Sequence, residues 1–387
     1  MKPPGRVVAA VAVTALTTLT PLVPGVAHAA AVPAGQLAYV TASGQLDLVG
    51  VMSDGSTSGA PVQIAPVTKV AAPKYVEVSD VVVSADEHWM AWSETIDKPN
   101  KRYGKVEVGG RTVVRDNVDG TITTLGNSVY PLGFSGHTLV SIGGYTERLV
   151  MTPKPHYVRL PGNAYAVATY SKGVVDVASR GDGRVDRENL RLTTFSGDHT
   201  LLHRYVIGRD YRNVTANIDA VSPDGKKLLV ERGNHQDFDG IGPSSDFDEY
   251  TLAPGYPRRQ LGHYGTNAAD WRLQTATFVG PNDEAWLALH DYGKTVRGVV
   301  VRAVDGRLHL VASNAITVAG SPLGYAVVQP GKWVLDKQSP DEDFNPVPTA
   351  DAQLWFDDKE IGPIDIQGSE LSWVNGVVSG SGSSTPL

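Results

Sequence analysis

The densest group of metal-binding side chains lies in residues 234–249, NHQDFDGIGPSSDFDE. Five carboxylates fall within 13 residues, and Gly240 follows an Asp-x-Asp run that is typical of the centre of a Ca²⁺-binding loop. The run departs from the EF-hand pattern, because position one would be His235. We predict a Ca²⁺ site with the ligands Asp237, Asp239, Asp246 and Asp248. The alternative is a solvated acidic insertion without an ion.

Other catalytic or cofactor-binding motifs are absent from the sequence. There is no GxSxG nucleophile elbow and no HExxH pair, and the chain has no cysteine, which excludes thiolate metal sites, disulfides and a cysteine nucleophile. A formal net charge of −7 argues against free nucleic acid as a partner. Apart from Ca²⁺, the sequence indicates no cofactor.

The first 29 residues are typical of a secretory signal peptide. Lys2 and Arg6 precede an uncharged, largely apolar segment, and Ala27-His28-Ala29 fits a cleavage site. A single transmembrane anchor is the alternative, although Pro21 and Pro24 interrupt the segment. We therefore predict a secreted protein, with a signal peptide at 1–29, one folded domain at 30–378 and a Gly/Ser-rich tail at 379–387. Later in the chain no stretch is long and apolar enough to span a membrane.

The elements that would position these residues are short β-strands separated by turns. Residues 217–233, NIDAVSPDGKKLLVERG, read as two strands joined by the type I turn Ser-Pro-Asp-Gly. Similar hairpins centre on Ser84, Ser135, Ser171, Pro281, Pro322 and Asn375, so the pattern recurs about every 48 residues. Four strands with their turns need about 40–50 residues, which is the length of one propeller blade.

A second hairpin in each repeat would supply an outer fourth strand. We assign this strand to residues 106–115, 190–195, 250–252, 299–304 and 354–356. The N-terminal segment 36–55 then holds only an outer half-blade, and the C-terminal segment 369–380 holds only an inner half. The sequence thus predicts an all-β, seven-bladed β-propeller, with six continuous blades and the last blade closed by both termini. Six or eight blades, or a pair of β-sandwiches, remain alternatives.

Residues 222–233, SPDGKKLLVERG, resemble the repeat signature of TolB-type propellers, the periplasmic relatives of WD-repeat propellers. This resemblance implies the fold alone, and it carries over no catalytic residue. Members of the broad group include binding scaffolds, peptidase-associated gates and sugar-acid lyases, so the fold does not select a function.

Four long insertions occupy equivalent positions in their repeats and would share one face of the propeller. They cover residues 94–104, 180–188, 233–249 and 336–351, between the strands assigned as third and fourth. Long loops on a rigid scaffold commonly carry function. We predict that the aromatic residues in or beside these loops form a binding face; they are Tyr103, Phe238, Phe247, Tyr250 and Phe344.

The resulting functional prediction is a secreted, monomeric, non-catalytic binding or scaffold propeller that presents acidic loops to a peptide, glycan or protein partner. The alternative is a secreted hydrolase or lyase whose acid and base come from different blades, since such residues converge in space and leave no sequence spacing. A structural role in a wall or spore surface is a third class. A cluster of His with Asp, or two carboxylates about 5–10 Å apart, would favour an enzyme.

Overall fold

The computed structural model describes residues 33–374, except for 42, 53, 55, 85, 87, 103, 128, 144–147, 152–155, 161–163, 182–185, 208–212, 223–224, 236–243, 265–270, 292–296, 322–323, 331–332, 337–344, 349–351 and 367–370. The described residues belong to one compact unit that begins at Val32. Their secondary structure is β-strand, without an α-helix, so the all-β prediction is confirmed. No helix among them is long and apolar enough to cross a membrane.

The strands form successive four-stranded antiparallel sheets, each of which is a propeller blade. The N-terminal strands are β1 (Pro33–Val40), β2 (Leu46–Met52) and β3 (Val62–Ala65). Blade I contains β4 (Tyr75–Val83), β5 (Trp89–Asn100), β6 (Gly104–Asp116) and β7 (Ile122–Asn127). Blade II contains β8 (Val129–Ser135), β9 (Thr138–Gly143), β10 (Arg148–Met151) and β11 (His156–Arg159). Blade III contains β12 (Ala164–Tyr170), β13 (Gly173–Gly181), β14 (Asp186–Thr194) and β15 (His199–Ile207).

The second half of the chain continues the same order. Blade IV contains β16 (Asn213–Val221), β17 (Lys227–His235), β18 (Ser244–Thr251) and β19 (Arg258–Tyr264). Blade V contains β20 (Trp271–Val279), β21 (Glu284–Asp291), β22 (Arg297–Val304) and β23 (Arg307–Ser313). Blade VI contains β24 (Thr317–Ser321), β25 (Gly324–Gln329), β28 (Gln353–Phe356) and β29 (Lys359–Pro363). Between β25 and β28, β26 (Trp333–Asp336) and β27 (Asn345–Pro348) form a separate ribbon, and β30 (Leu371–Val374) ends the described chain.

The two ends of the chain share one sheet, in the order β3-β2-β1-β30. Gln36 lies opposite Val374 and Tyr39 lies opposite Leu371, which confirms that the terminal segments pair. The prediction of seven blades was wrong, because the structure has six blades, each of which is complete within a continuous stretch of the chain. The sheet that both termini share holds three N-terminal strands and one C-terminal strand. The first strands of neighbouring sheets contact each other in the order β30, β4, β8, β12, β16, β20, β24 and again β30.

The predicted order of strands within a blade was wrong by one position. The segments assigned as outer fourth strands lie in the third strands β6, β14, β18, β22 and β28. The outermost strands are β7, β15, β19, β23 and β29. Consequently the strand before each Ser-type turn is the innermost one, and the long insertions lie between the second and third strands.

Alternate hairpins of an antiparallel sheet emerge at opposite ends. The hairpins between second and third strands share one end of the propeller, which we call the insertion end. The hairpins between first and second strands, and between third and fourth strands, share the other, which we call the turn end. A recurring hydrogen bond joins the two kinds of hairpin at the turn end: Asn117 N donates to His88 O at 2.7 Å, and Leu252 N donates to Lys226 O at 2.6 Å.

The hydrophobic core lies between the blades. One cluster joins blade VI to the sheet β3-β2-β1-β30, which we call the composite sheet, through Phe356 and Trp373, whose rings stack at 5.4 Å. Another joins the composite sheet to blade I through Leu48 and Trp92. Because each blade buries both of its faces, its strands lack the simple apolar–polar alternation of a sheet with one solvated face.

Candidate functional site

The insertion end of blade I carries a two-stranded ribbon, residues 97–108. β5 and β6 pair from Trp89↔Asp116 outward to Asn100↔Gly104. β4 begins at Tyr75, opposite Asp97, and the β7 pairing begins only at the Arg111↔Asn127 pair. Within the described residues, no strand therefore pairs with the outer edge of β6 from 104 to 110.

A buried carboxylate fixes the base of this ribbon. Glu94 in β5 is fully buried, and its two oxygens accept hydrogen bonds from Val67 N at 2.7 Å and Thr68 N at 3.0 Å. The indole nitrogen of Trp92 donates a third bond at 3.1 Å. Three donors satisfy a buried negative charge that would otherwise be costly. The contacts fasten the segment between β3 and β4 to blade I, so Glu94 has a structural role.

The ribbon combines charged and apolar side chains next to the innermost strands. Lys105 forms ion pairs with Glu77 of β4 and, at 3.6 Å, with the buried carboxylate of Asp97. The hydrogen bond to Glu77 and the charges of both carboxylates raise the pKa of Lys105, against a smaller opposing effect of burial. Glu107 accepts a hydrogen bond at 3.3 Å from the hydroxyl of Tyr130, the second residue of β8 in blade II.

Exposed apolar side chains alternate with these charges. Val106 and Val108 are 39% and 47% exposed, and Tyr75, the first residue of β4, is 37% exposed. Side chains of a strand alternate between its two faces, so Val106 lies on the face opposite Lys105 and Glu107. The ribbon thus offers an open backbone edge, an aliphatic face and a charged face. Sequence analysis placed a long insertion at 94–104 in this region but did not predict the roles of Lys105, Val106 and Val108, because none of them belongs to a recognisable motif.

Three of the five predicted aromatic residues lie outside the described residues: Tyr103, Phe238 and Phe344. The other two require correction. Phe247 is fully buried in the cluster between blades IV and V, and Tyr250 is 1% exposed in the cluster between blades III and IV. Both lie in β18, where positions three apart face opposite sides of the blade. They hold neighbouring blades together and cannot present their rings to a partner.

The predicted Ca²⁺ ligands fall into two pairs. Asp237 and Asp239 lie outside the described residues. Asp246 and Asp248 lie in β18: an oxygen of Asp246 is 2.8 Å from His263 Nδ1 and accepts a bond from Gln260 at 3.0 Å. The carboxylate of Asp248 is fully buried, 3.8 Å from Arg258. The structure does not bring these two carboxylates to a shared exposed loop, and the Ca²⁺ site remains a prediction.

A second buried carboxylate, Asp176 in β13, is also paired. One oxygen receives two bonds from the guanidinium of Arg191, at 2.8 and 2.5 Å, and the other accepts from the hydroxyl of Thr193. All three residues lie on adjacent strands of blade III. A fully satisfied carboxylate of this kind orders the sheet and has no free oxygen aimed at a ligand.

The described residues contain one group of at least three clustered imidazole and carboxylate side chains: Asp86, His88 and His137. The group lies at the turn end of blades I and II, whereas the ribbon lies at the insertion end. It is a His–Asp cluster of the kind that could serve an enzyme or a metal ion, and its geometry is developed below.

Comparisons with known proteins assign no family to this chain. No protein-family model matches the chain, and no curated protein matches it significantly. Among solved structures, the chain is similar to the β-propeller domain of the Trilobed protease from Pyrococcus furiosus, with 9% identity, 87% of this chain and 98% of that chain covered, and a TM-score of 0.48. It is also similar to the tricorn protease, with 11% identity, 85% and 39% coverage, and a TM-score of 0.43. A third match is a puromycin-hydrolyzing peptidase of Mycobacterium tuberculosis, with 14% identity, 74% and 52% coverage, and a TM-score of 0.35. The chain's own successive four-stranded sheets confirm the predicted resemblance to β-propellers at the level of fold.

Proposed function

We propose that this β-propeller is an extracellular binding protein that captures an extended peptide or protein segment along the open edge of β6, residues 104–110. The observation that carries the proposal is the lack of a paired strand at this edge among the described residues, where β7 pairs only from Arg111 onward. An edge without a paired strand is the kind of site at which a peptide can add as a further strand through backbone hydrogen bonds.

The side chains on the ribbon support selection of a partner. Val106 and Val108 give exposed apolar surface beside the edge, and Lys105, Glu77 and Glu107 give charges of both signs nearby. In strand addition, backbone hydrogen bonds supply affinity and alternate side chains supply specificity. The rigid base formed by Glu94 limits the ordering cost of binding.

The extracellular location belongs to the same proposal, and it rests on the signal-peptide pattern of residues 1–29. Membership of the TolB-type group rests on the signature at 222–233. Expression with the native N-terminus and N-terminal sequencing of the protein in the medium test the location. The expected first residue is Ala30, whereas retention of the whole chain in the membrane fraction would contradict export.

A displayed library of random linear peptides tests the binding proposal. Enriched peptides should bind wild-type protein, and binding should be lost when residues 98–107 are replaced by Asn-Gly, which shortens the ribbon to a tight hairpin. Leu310→Lys, which changes an exposed apolar side chain on β23, is the matched control and should bind normally. Equal binding by the shortened protein, or no enrichment, would refute the proposal. Mass spectrometry of the incubated peptides distinguishes binding from the alternative, hydrolysis.

A further inference from the structure

Two hairpins at the turn end bring imidazole and carboxylate groups together from neighbouring blades. Asp86 and His88 lie in the β4–β5 turn of blade I, and His137 lies in the β8–β9 turn of blade II. One ligand atom from each residue lies within 4.8 Å of the other two. His137 Nε2 is 2.5 Å from Asp86 Oδ2, and the two imidazole centroids are 5.5 Å apart.

Contacts within blade I hold the first two side chains in place. The hydroxyl of Ser84 donates to Asp86 Oδ1 at 2.6 Å, and the same hydroxyl oxygen accepts a bond from Trp89 N at 3.0 Å. The ring of His88 stacks on the indole of Trp89, with centroids 4.9 Å apart and planes 17° apart. Support of this kind restricts the rotamers of potential ligands before any ion binds.

Asp116, the last residue of β6, supplies a second carboxylate that orients His88. Asp116 Oδ2 is 3.2 Å from His88 Nε2, and the Asp116 side chain is only 16% exposed. A carboxylate on one ring nitrogen of a histidine is the usual outer contact in zinc sites, because it fixes the tautomer and makes the other nitrogen a better ligand.

We propose that Asp86, His88 and His137 bind a divalent transition-metal ion, specifically Zn²⁺, and that Asp116 positions His88 for this role. Zn²⁺ favours four ligands of nitrogen, sulfur or oxygen type at about 2.0–2.2 Å for nitrogen and oxygen, and three protein ligands leave a fourth place for water. Small rotamer changes bring atoms within 4.8 Å of one another to such a distance from a shared centre. Ca²⁺ prefers six to eight oxygen ligands, so a set with two imidazoles selects against it.

The ion would link two blades that meet here through hairpin tips. Asp86 and His137 are separated by 51 residues in the sequence. Because the unfolded chain has no preformed site, binding adds to the stability of the folded ring. The site lies at the end opposite the β6 ribbon, so it is independent of the proposed peptide binding.

Isothermal titration of the untagged, chelator-treated protein with ZnCl₂ tests the site, with CaCl₂ as the contrasting ion. We expect one high-affinity Zn²⁺ per chain and a raised Tm. His137→Ala and Asp86→Asn should each weaken Zn²⁺ binding by about tenfold or more, and Ser84→Ala by about tenfold through loss of support. His309→Ala removes an exposed histidine from β23 and should bind Zn²⁺ like the wild type.

The Co²⁺-loaded protein gives a second readout. Nitrogen and oxygen ligands should produce a visible absorption band that disappears in His88→Ala/His137→Ala, while circular dichroism confirms that this variant is folded. Failure of the folded wild type to bind Zn²⁺ would overturn the proposal. One-to-one Zn²⁺ binding that survives in the double variant would also overturn it, because the ion would then lie elsewhere.

Discussion

Leu37 and Trp373 lie opposite each other in adjacent antiparallel strands, although they come from the two ends of the described chain. Trp373 is 6% exposed and stacks on Phe356 of blade VI. This single position therefore joins the N-terminal strands, the C-terminal strand and the preceding blade. Closure of the ring removes edges that a linear array of sheets would expose.

We expect Trp373→Ala to destabilise the protein by about 3–5 kcal/mol, because truncation of a buried aromatic side chain loses transfer free energy and leaves a cavity. Urea unfolding monitored by circular dichroism measures the change. Val118→Ala, at a turn position that is 73% exposed, is the control and should change stability little. A wild-type midpoint in Trp373→Ala would show that β30 contributes little to closure.

Glu94→Gln should lower the free energy of unfolding by about 2–3 kcal/mol. The amide retains one acceptor oxygen where the carboxylate offers two, so one of the backbone donors Val67 N and Thr68 N loses its partner in a buried place. Chemical denaturation measures the loss. Glu284→Gln, which alters a carboxylate 3.5 Å from Arg302 in an exposed pair, should cost much less.

His290 should make stability depend on pH. Burial lowers the pKa of its imidazole to about 4, against a smaller raising effect of the hydrogen bond to Ile316 O at 2.7 Å. The folded pKa lies below the unfolded value of about 6.5, so acid protonates the unfolded chain first. The contribution of His290 to the free energy of unfolding is therefore fully present above about pH 6.5. It decreases by about 3 kcal/mol as the pH falls toward 4.

The measurement is a series of denaturant unfolding curves between pH 7 and 4. His290→Gln should flatten the decrease relative to the wild type, whereas His309→Gln, an exposed position on β23, should leave it unchanged. Because carboxylates also titrate in this range, the difference between variants is the informative quantity. Parallel curves for the wild type and His290→Gln would exclude His290 as the source.

Gly320→Ala should destabilise the contact between blades V and VI by about 1–3 kcal/mol. A Cβ on Gly320 would lie 2.3 Å from Phe278 O, a backbone atom of the neighbouring innermost strand, and it could fit only if the strands moved apart. Thermal unfolding measures the effect. Gly109→Ala is the control: its new Cβ would meet only Ile96 Cδ1, at 3.8 Å, an ordinary contact. Equal Tm values for the two variants would show that blade V and blade VI can separate without cost.

The sequence alone determined the repeat and its turns. Hairpins predicted around Ser84, Ser135 and Ser171 occur where β4 meets β5, β8 meets β9, and β12 meets β13. The conformation of a turn depends on a few neighbouring residues, so turns can be predicted from the sequence without knowledge of the tertiary structure. The pairing of the terminal segments also followed, because each end lacked the strands needed to complete a blade.

The tertiary structure decided which strand is innermost and which side chains are buried. Phe247 and Tyr250 appeared to flank an acidic loop, but they pack on opposite faces of β18 between different blades. A blade with two buried faces gives no alternation from which to read such burial. The part of β6 without a paired outer strand was equally invisible, since it depends on where the β7 pairing ends.

The His–Asp cluster illustrates the same division between local and tertiary information. Asp86 and His137 each stand two residues after the serine of their turn, so alignment of the repeats could have placed them at equivalent positions. Their contact, however, requires neighbouring blades to lie side by side with their turns at one end. Sequence spacing records positions along the chain, whereas chemistry between blades depends on distances that only the closed ring establishes.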